Sequence, residues 1–292
     1  MYNPDKWAEY SDYYTYDVPQ RDPSWLLVKI GRPSGSTLGY CLGHSTFNTP
    51  EEAALDICCM RYNILPDGSI DSKIPIILGK KIKSEESKRI MGLGTDTEPI
   101  AREWYANETK TLCEEVGYCV PKFDQRLGVS IDGDVKNLDG PPTDGMIEIK
   151  CPEHMYKPIK EHLANESFSK KYTAIQLPDK PLKEYKKDYN DYYYYIWQTH
   201  YDQMQMGMAI MNKKWCDYIV YALDGDRYIE RIYFDKIYWG ILYEEIDKFI
   251  KEKVDSLLGY LNIIELKDII LHGLNINSIP ESQKLTFPLM PK

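Results

Sequence analysis

The segments Gly128-Val129-Ser130-Ile131-Asp132-Gly133 and Ile147-Glu148-Ile149-Lys150-Cys151-Pro152 set the architecture of this chain. Along a strand, side chains alternate between faces, and residues two apart share a face about 7 Å from each other. Met146 to Lys150 alternates apolar with charged residues and so reads as a strand. Ile147 and Ile149 then face the core, while Glu148 and Lys150 project together. Leu127 to Ile131 reads as a neighbouring strand, with Asp132-Gly133 as the turn that brings Asp132 towards Glu148. Two carboxylates that close repel each other, a conflict that a divalent cation relieves. A lysine beside them would steady a hydroxide or a phosphate. An Asp-Gly turn next to an exposed, charged strand face would give the same bare pattern.

Outward from this centre, Thr49-Pro50-Glu51-Glu52 supplies a cap, an N1 proline and a capping-box glutamate for a helix over Ala53 to Tyr62. Thr95 to Thr109 reads as a helix, in which Thr95 and Glu98 have the spacing of a second capping box. Glu115 to Val120 reads as a short strand. Tyr192 to Met211 reads as a long helix, and Ile237 to Leu261 shows helical periodicity. Cys216 to Leu223 and Tyr228 to Phe234 flank Asp224-Gly225-Asp226 as a hairpin. Lys157 to Tyr189 is polar, with prolines at 158, 178 and 181, and reads as a mobile segment. This order of elements predicts an α/β domain with a central mixed sheet flanked by helices. Residues 1–24 read as an N-terminal arm, 25–262 as a single domain with a C-terminal helix, and 263–292 as a tail.

At 43% hydrophobic and 28% charged over 292 residues, the chain falls among globular proteins, which excludes wholesale disorder. The net charge of −9 excludes a uniformly basic surface. Lysine-rich stretches at 73–89 and 150–190 could still line a groove for a polyanion, although lysines on solvated helix faces are the simpler explanation. Seven cysteines without a CxxC pair fit reduced thiols inside a cell. No apolar run is long enough to span a membrane, and Met1 to Gln20 lacks the pattern of a secretion signal. The five histidines have no zinc-ligand spacing, and no phosphate-binding GxxxxGK[ST] loop is present. Tyr192 to Tyr195 could stack nucleobases, but such clusters more commonly serve a core or an interface. The 8 arginines against 28 lysines, with 25 tyrosines, suggest an AT-rich genome, consistent with a viral protein.

Taken whole, the Asp132-Gly133 and Ile147-Glu148-Ile149-Lys150-Cys151-Pro152 pattern resembles the active-site hairpin of PD-(D/E)XK nucleases, in particular the YqaJ-like viral recombinases or lambda-type exonucleases. Gly94, Glu98, Ala101 and Tyr105 match that family's helix before the hairpin. Tyr201, Gln203 and Gln205 match the tyrosine and glutamines of its later helix. Trp25, Lys29, Gly31 and Ser36 match its N-terminal motif, with lysine where the family usually has arginine and with Arg32 next to the glycine.

The resemblance implies a restriction-endonuclease-like core and a Mg²⁺-dependent deoxyribonuclease that digests double-stranded DNA ends 5′ to 3′ in recombination, repair or viral genome processing. Two ions per site are implied, with Mn²⁺ as a possible substitute. Asp132, Glu148, the Ile149 carbonyl and Glu98 would be ligands, and Lys150 would polarise or deprotonate the attacking water. Gln205 would contact water or phosphate, and Lys29, Arg32 and Ser36 would hold the 5′-phosphate. The family also suggests a homotrimer ring and a single-strand annealing protein as partner. A structure-selective or sequence-specific endonuclease and an inactive DNA-end-binding scaffold are the rival readings.

Overall fold

The helix Lys157–Asn165 lies in the long connection between two neighbouring strands of the main sheet that run parallel. A computed structural model describes residues 3–29, 31–45, 47–62, 84–140, 142–165, 174–176 and 196–256. The strands are β1 (Trp7–Glu9), β2 (Tyr13–Tyr16), β3 (Thr111–Glu114), β4 (Tyr118–Pro121), β5 (Gly133–Asn137), β6 (Pro142–Lys150), β7 (Ala174–Gln176), β8 (Trp215–Tyr221) and β9 (Arg227–Tyr233). The helices are α1 (Pro23–Lys29), α2 (Gly35–Cys41), α3 (Pro50–Tyr62), α4 (Glu85–Thr109), α5 (Lys157–Asn165), α6 (Gln198–Met211) and α7 (Lys236–Phe249), the last continuing as a π-helical stretch over Ile250–Asp255.

The main sheet runs β3-β5-β6-β8-β9-β7. β6 and β8 are parallel, as are β9 and β7, while the remaining neighbours are antiparallel. On one face Ile147, Ile149 and Ile219 pack with Ala101 and Tyr105 of α4. On the other, Met146, Cys216, Tyr218 and Val220 pack with Met204 and Met208 of α6. The mixed sheet with helices on both faces is therefore as the sequence predicts.

Several elements differ from expectation. Leu127 to Ile131 forms only isolated bridges, Ser34 to Gly128 and Cys119 to Val129. The strand that flanks β6 is β5, so Asp132-Gly133 enters a strand rather than turning out of one. Of Glu115 to Val120, residues 115–117 connect β3 to β4 and Tyr118 to Val120 lie in β4 itself. The helix carrying Glu98 begins ten residues earlier than Thr95. Its cap is Ser84, whose side chain accepts from Ser87 N at 3.1 Å, with Glu85 and Glu86 in the favourable first turn. Thr95 and Glu98 thus lie inside a helix and form no capping box. The expected box at Thr49 and Glu52 is present, with Thr49 N donating to the Glu52 carboxylate at 2.9 Å. The hairpin between β8 and β9 is also present, with Gly225 at φ 100°. α6 starts at Gln198, while Tyr192 to Tyr195, most of the Lys157 to Tyr189 segment, and the proposed tail fall outside the described residues.

The stretch read as an arm lies across the body. β1 and β2 form a three-stranded antiparallel sheet with β4, and Tyr16 is fully buried. Close approach of α2 and α6 depends on glycine: a Cβ at Gly39 would collide with Thr199, and one at Gly35 would lie 3.1 Å from the Gln203 side chain.

Candidate active site

Pairing of Gly133 with Ile147 places Asp132 level with Glu148 on adjoining strands. The Asp132 carboxylate is fixed by the Ile149 backbone N–H, which donates to it at 2.7 Å. Glu148 is 1% exposed and receives the Lys150 ammonium. Lys150 also donates to the Gln203 side-chain oxygen at 3.2 Å, which ties β6 to α6. Both faces of β6 are therefore buried, and the exposed charged face allowed by the bare pattern is not what forms.

Glu98 approaches from α4. Its carboxylate accepts from Arg102 at 2.9 Å and from Arg21 at 3.1 Å. Arg102 donates in addition to the Asp132 carbonyl at 2.6 Å, linking helix and strand entry. Gln20 donates to the Ile131 carbonyl at 3.0 Å, so the N-terminal segment borders the site.

The electrostatics follow from crowding of like charges in a buried space. Burial and the charge of Asp132 push Glu148 up to about 8, against the opposing pull of Lys150. Burial raises Asp132, with Lys150 and the Ile149 N–H opposing. Burial and then Asp132 raise Glu98. Glu148 and Asp132 outweigh burial at Lys150 and hold its ammonium above the usual lysine range. The donors are hard oxygens carrying more negative charge than Lys150 neutralises, which fits a hard divalent cation. Among the described residues, no three His, Cys, Asp or Glu side chains converge as they stand on one ion position. Glu98 is held by Arg21 and Arg102 instead.

Two sequence assignments need correction. Gln205 is fully buried, with its amide donating to the Tyr233 carbonyl at 2.9 Å and accepting from Asp235 N at 2.8 Å. It clamps β9 to the start of α7, and its neighbour Gln203 is the glutamine that reaches Lys150. Met204, Met206 and Met208 are buried all round α6, so two glutamines there cannot both face the same space. Arg32 is 3% exposed and donates to the Val28 and Gln125 carbonyls. Its guanidinium braces the turn after α1 and does not join Lys29.

Lys29 and Ser36 do come together, at 3.3 Å. Lys29 lies over the Trp25 ring at 5.0 Å, and burial lowers it to about 8 against the attraction of Asp132. Arg102, Arg21 and Gln20 went unrecognised in the sequence. Only Arg102 left a signal there, four residues after Glu98 on one helix face.

Next to Lys150 stands a group of rings. Tyr156 and Trp197 have centroids 4.6 Å apart, and His200 lies 5.3 Å from Trp197. His200 Nδ1 shares a hydrogen bond with the Tyr218 hydroxyl at 2.8 Å. Burial, and then the charge of Lys150, push His200 well below the usual histidine range.

An aspartate at the entry to one central strand and Glu-x-Lys on the next, in a mixed sheet with a helix over each face, define the PD-(D/E)XK nuclease fold. The model for the YqaJ-like viral recombinase domain matches residues 24–214, and the chain belongs to that family. Two crystal structures share the fold: the alkaline exonuclease LHK-Exo from Laribacter hongkongensis, at 22% identity, and LHK-Exo in complex with dAMP, at 21%. Each has a TM-score of 0.55, with 84% of this chain and 99% of the other covered. No curated protein matches the chain.

Proposed function

We propose that the protein is a divalent-metal-dependent deoxyribonuclease that digests linear double-stranded DNA from its 5′ ends. The observation that supports this most directly is the meeting of Asp132, fixed by the Ile149 N–H, with buried Glu148 and its partner Lys150 at adjoining strand positions. Asp132, Glu148 and the Ile149 carbonyl would hold Mg²⁺, with Mn²⁺ able to replace it. Glu98 would join on leaving Arg21, and a second ion is part of this reading. When bound, the metal supplies an activated water and neutralises charge on the phosphate and leaving oxygen.

The chain's own residues then have separate tasks. Lys150, its ammonium held by Glu148 and Gln203, would polarise or deprotonate the attacking water. Gln203 orients that ammonium. Arg102 fixes the Asp132 backbone against α4. Lys29 and Ser36 would hold a 5′-phosphate, now without Arg32. The family relationship also supports action in recombination or viral genome processing inside a cell, a ring of three subunits and a strand-annealing partner. Among the described residues no helix is long and apolar enough to cross a membrane.

Linear duplex labelled separately at each 5′ and 3′ end, incubated with Mg²⁺, Mn²⁺ or EDTA, tests the reading. Release of the 5′ label first, with metal only, is the expected outcome. Cutting of covalently closed circles at a comparable rate would replace the exonuclease by an endonuclease. Metal-independent end binding without nucleotide release would leave a scaffold.

A further inference from the structure

We propose that Tyr156, Trp197 and His200 form a stacking step for a nucleobase of the strand being cut, beside the carboxylate–lysine cluster. This rests on the nuclease reading above and adds a base-binding subsite to it.

The rings form a path from solvent to the site. Trp197 is 43% exposed, an unusual state for an indole next to a closed core. It is tilted by 31° on Tyr156 and by 41° on His200, and His200 is tilted by 40° on Tyr218. Tyr218 is fully buried and pairs in register with Glu148. The inner end of the path thus adjoins the strand that carries the carboxylate. Both Tyr156 and His200 feel the charge of Lys150.

Helix formation does not account for Trp197. It occupies the N-cap of α6 without a side-chain capping bond, at a position where Ser, Thr, Asp or Asn would be preferred. Flat, uncharged faces suit the π surface of a base, whereas a phosphate would need cations or N–H donors. An enzyme that digests DNA of any sequence gains from a grip that every base satisfies, and stacking provides one.

The test uses short duplexes with 2-aminopurine at the first, second or third nucleotide from the 5′ end, bound in Ca²⁺ and in EDTA so that binding is read apart from turnover. Wild type should quench the probe at one position. Trp197→Ala should lose that quenching and bind about tenfold more weakly, while Trp197→Phe keeps both. An abasic nucleotide at the same position should weaken wild type equally and leave Trp197→Ala unaffected. Trp197→Leu, which keeps an apolar side chain without a π face, should behave as the alanine variant and so separates stacking from folding. Wild type that binds and cuts DNA with no position quenched, or a Trp197→Ala protein with wild-type affinity, overturns the step alone. Wild type that neither binds nor cuts overturns the nuclease reading and the step together.

Discussion

Glu148 and Asp217 lie on neighbouring strands, on opposite faces of one sheet, at 1% and 2% exposure. Asp217 accepts two bonds from Arg231, at 2.7 and 2.8 Å, and one from the Tyr105 hydroxyl at 2.6 Å. Glu148 receives the Lys150 ammonium but also faces Asp132 and Glu98. Equal burial has therefore produced two different objects. Asp217 is a brace whose charge is met by a guanidinium fork and a hydroxyl. Glu148 has a single ammonium as partner and a second carboxylate, Asp132, beside it in a buried space, an arrangement that suits a divalent cation. Burial of a carboxylate is thus not itself a mark of function; the balance of partners around it is.

The largest effect that could break this contrast is on Lys150. Lys150→Ala should lower nucleotide release by about a thousandfold, with DNA still bound and circular dichroism unchanged. Activity within tenfold of wild type would reduce Lys150 to a second brace. Removing Glu148 or Asp132 should instead weaken Mn²⁺ binding, read by titration calorimetry.

The pH dependence of stability comes next. Glu148 is raised in the folded state, so its contribution is full below pH 4.5 and is lost as pH rises through about 8. Asp132 and Glu98 shift in the same direction. Lys150 is raised above 10.5, so it stays charged through that window. In EDTA the urea midpoint should fall from pH 5 to pH 9, Glu148→Gln should flatten the fall, and Mg²⁺ should stabilise more at pH 9 than at pH 6. A flat wild-type profile would show that Glu148 is compensated after all.

Asp217→Asn should show the reverse behaviour. It should lower stability by about 2 kcal/mol, less than a fully buried pair because Arg231 is partly exposed, and leave turnover per folded molecule unchanged. The two glutamines of α6 repeat the contrast at smaller scale. Gln203→Ala should cut turnover about tenfold through one hydrogen bond to a charged group. Gln205→Ala should cost about 1–2 kcal/mol of stability and little turnover. Exchange of these outcomes would restore Gln205 to the site. The smallest effect concerns the end group: 5′-phosphorylated duplex should be digested a few-fold faster than 5′-hydroxyl duplex. That preference should fade above pH 8, where Lys29 loses its proton, and should vanish in Lys29→Ala.

By itself the amino-acid sequence determined the class of fold, the β6 and β8–β9 strands, the α3 cap, and the grouping of Asp132, Glu148 and Lys150, because alternation along a strand and capping chemistry are local. Local periodicity also carried Glu98 onto its helix, although the true start at Ser84 lay beyond the apolar pattern. Only the tertiary structure decided which glutamine meets Lys150, since Gln203 and Gln205 differ solely in which neighbour α6 turns them towards. It also decided that Arg32 points into the Gln125 carbonyl, that Arg21 reaches Glu98, and that the first strands close a sheet with β4. Arg21 and Glu98 lie 77 positions apart, and Arg32 and Gln125 lie 93 apart. No short-range pattern encodes them, because each depends on how separate elements are stacked once the core has formed.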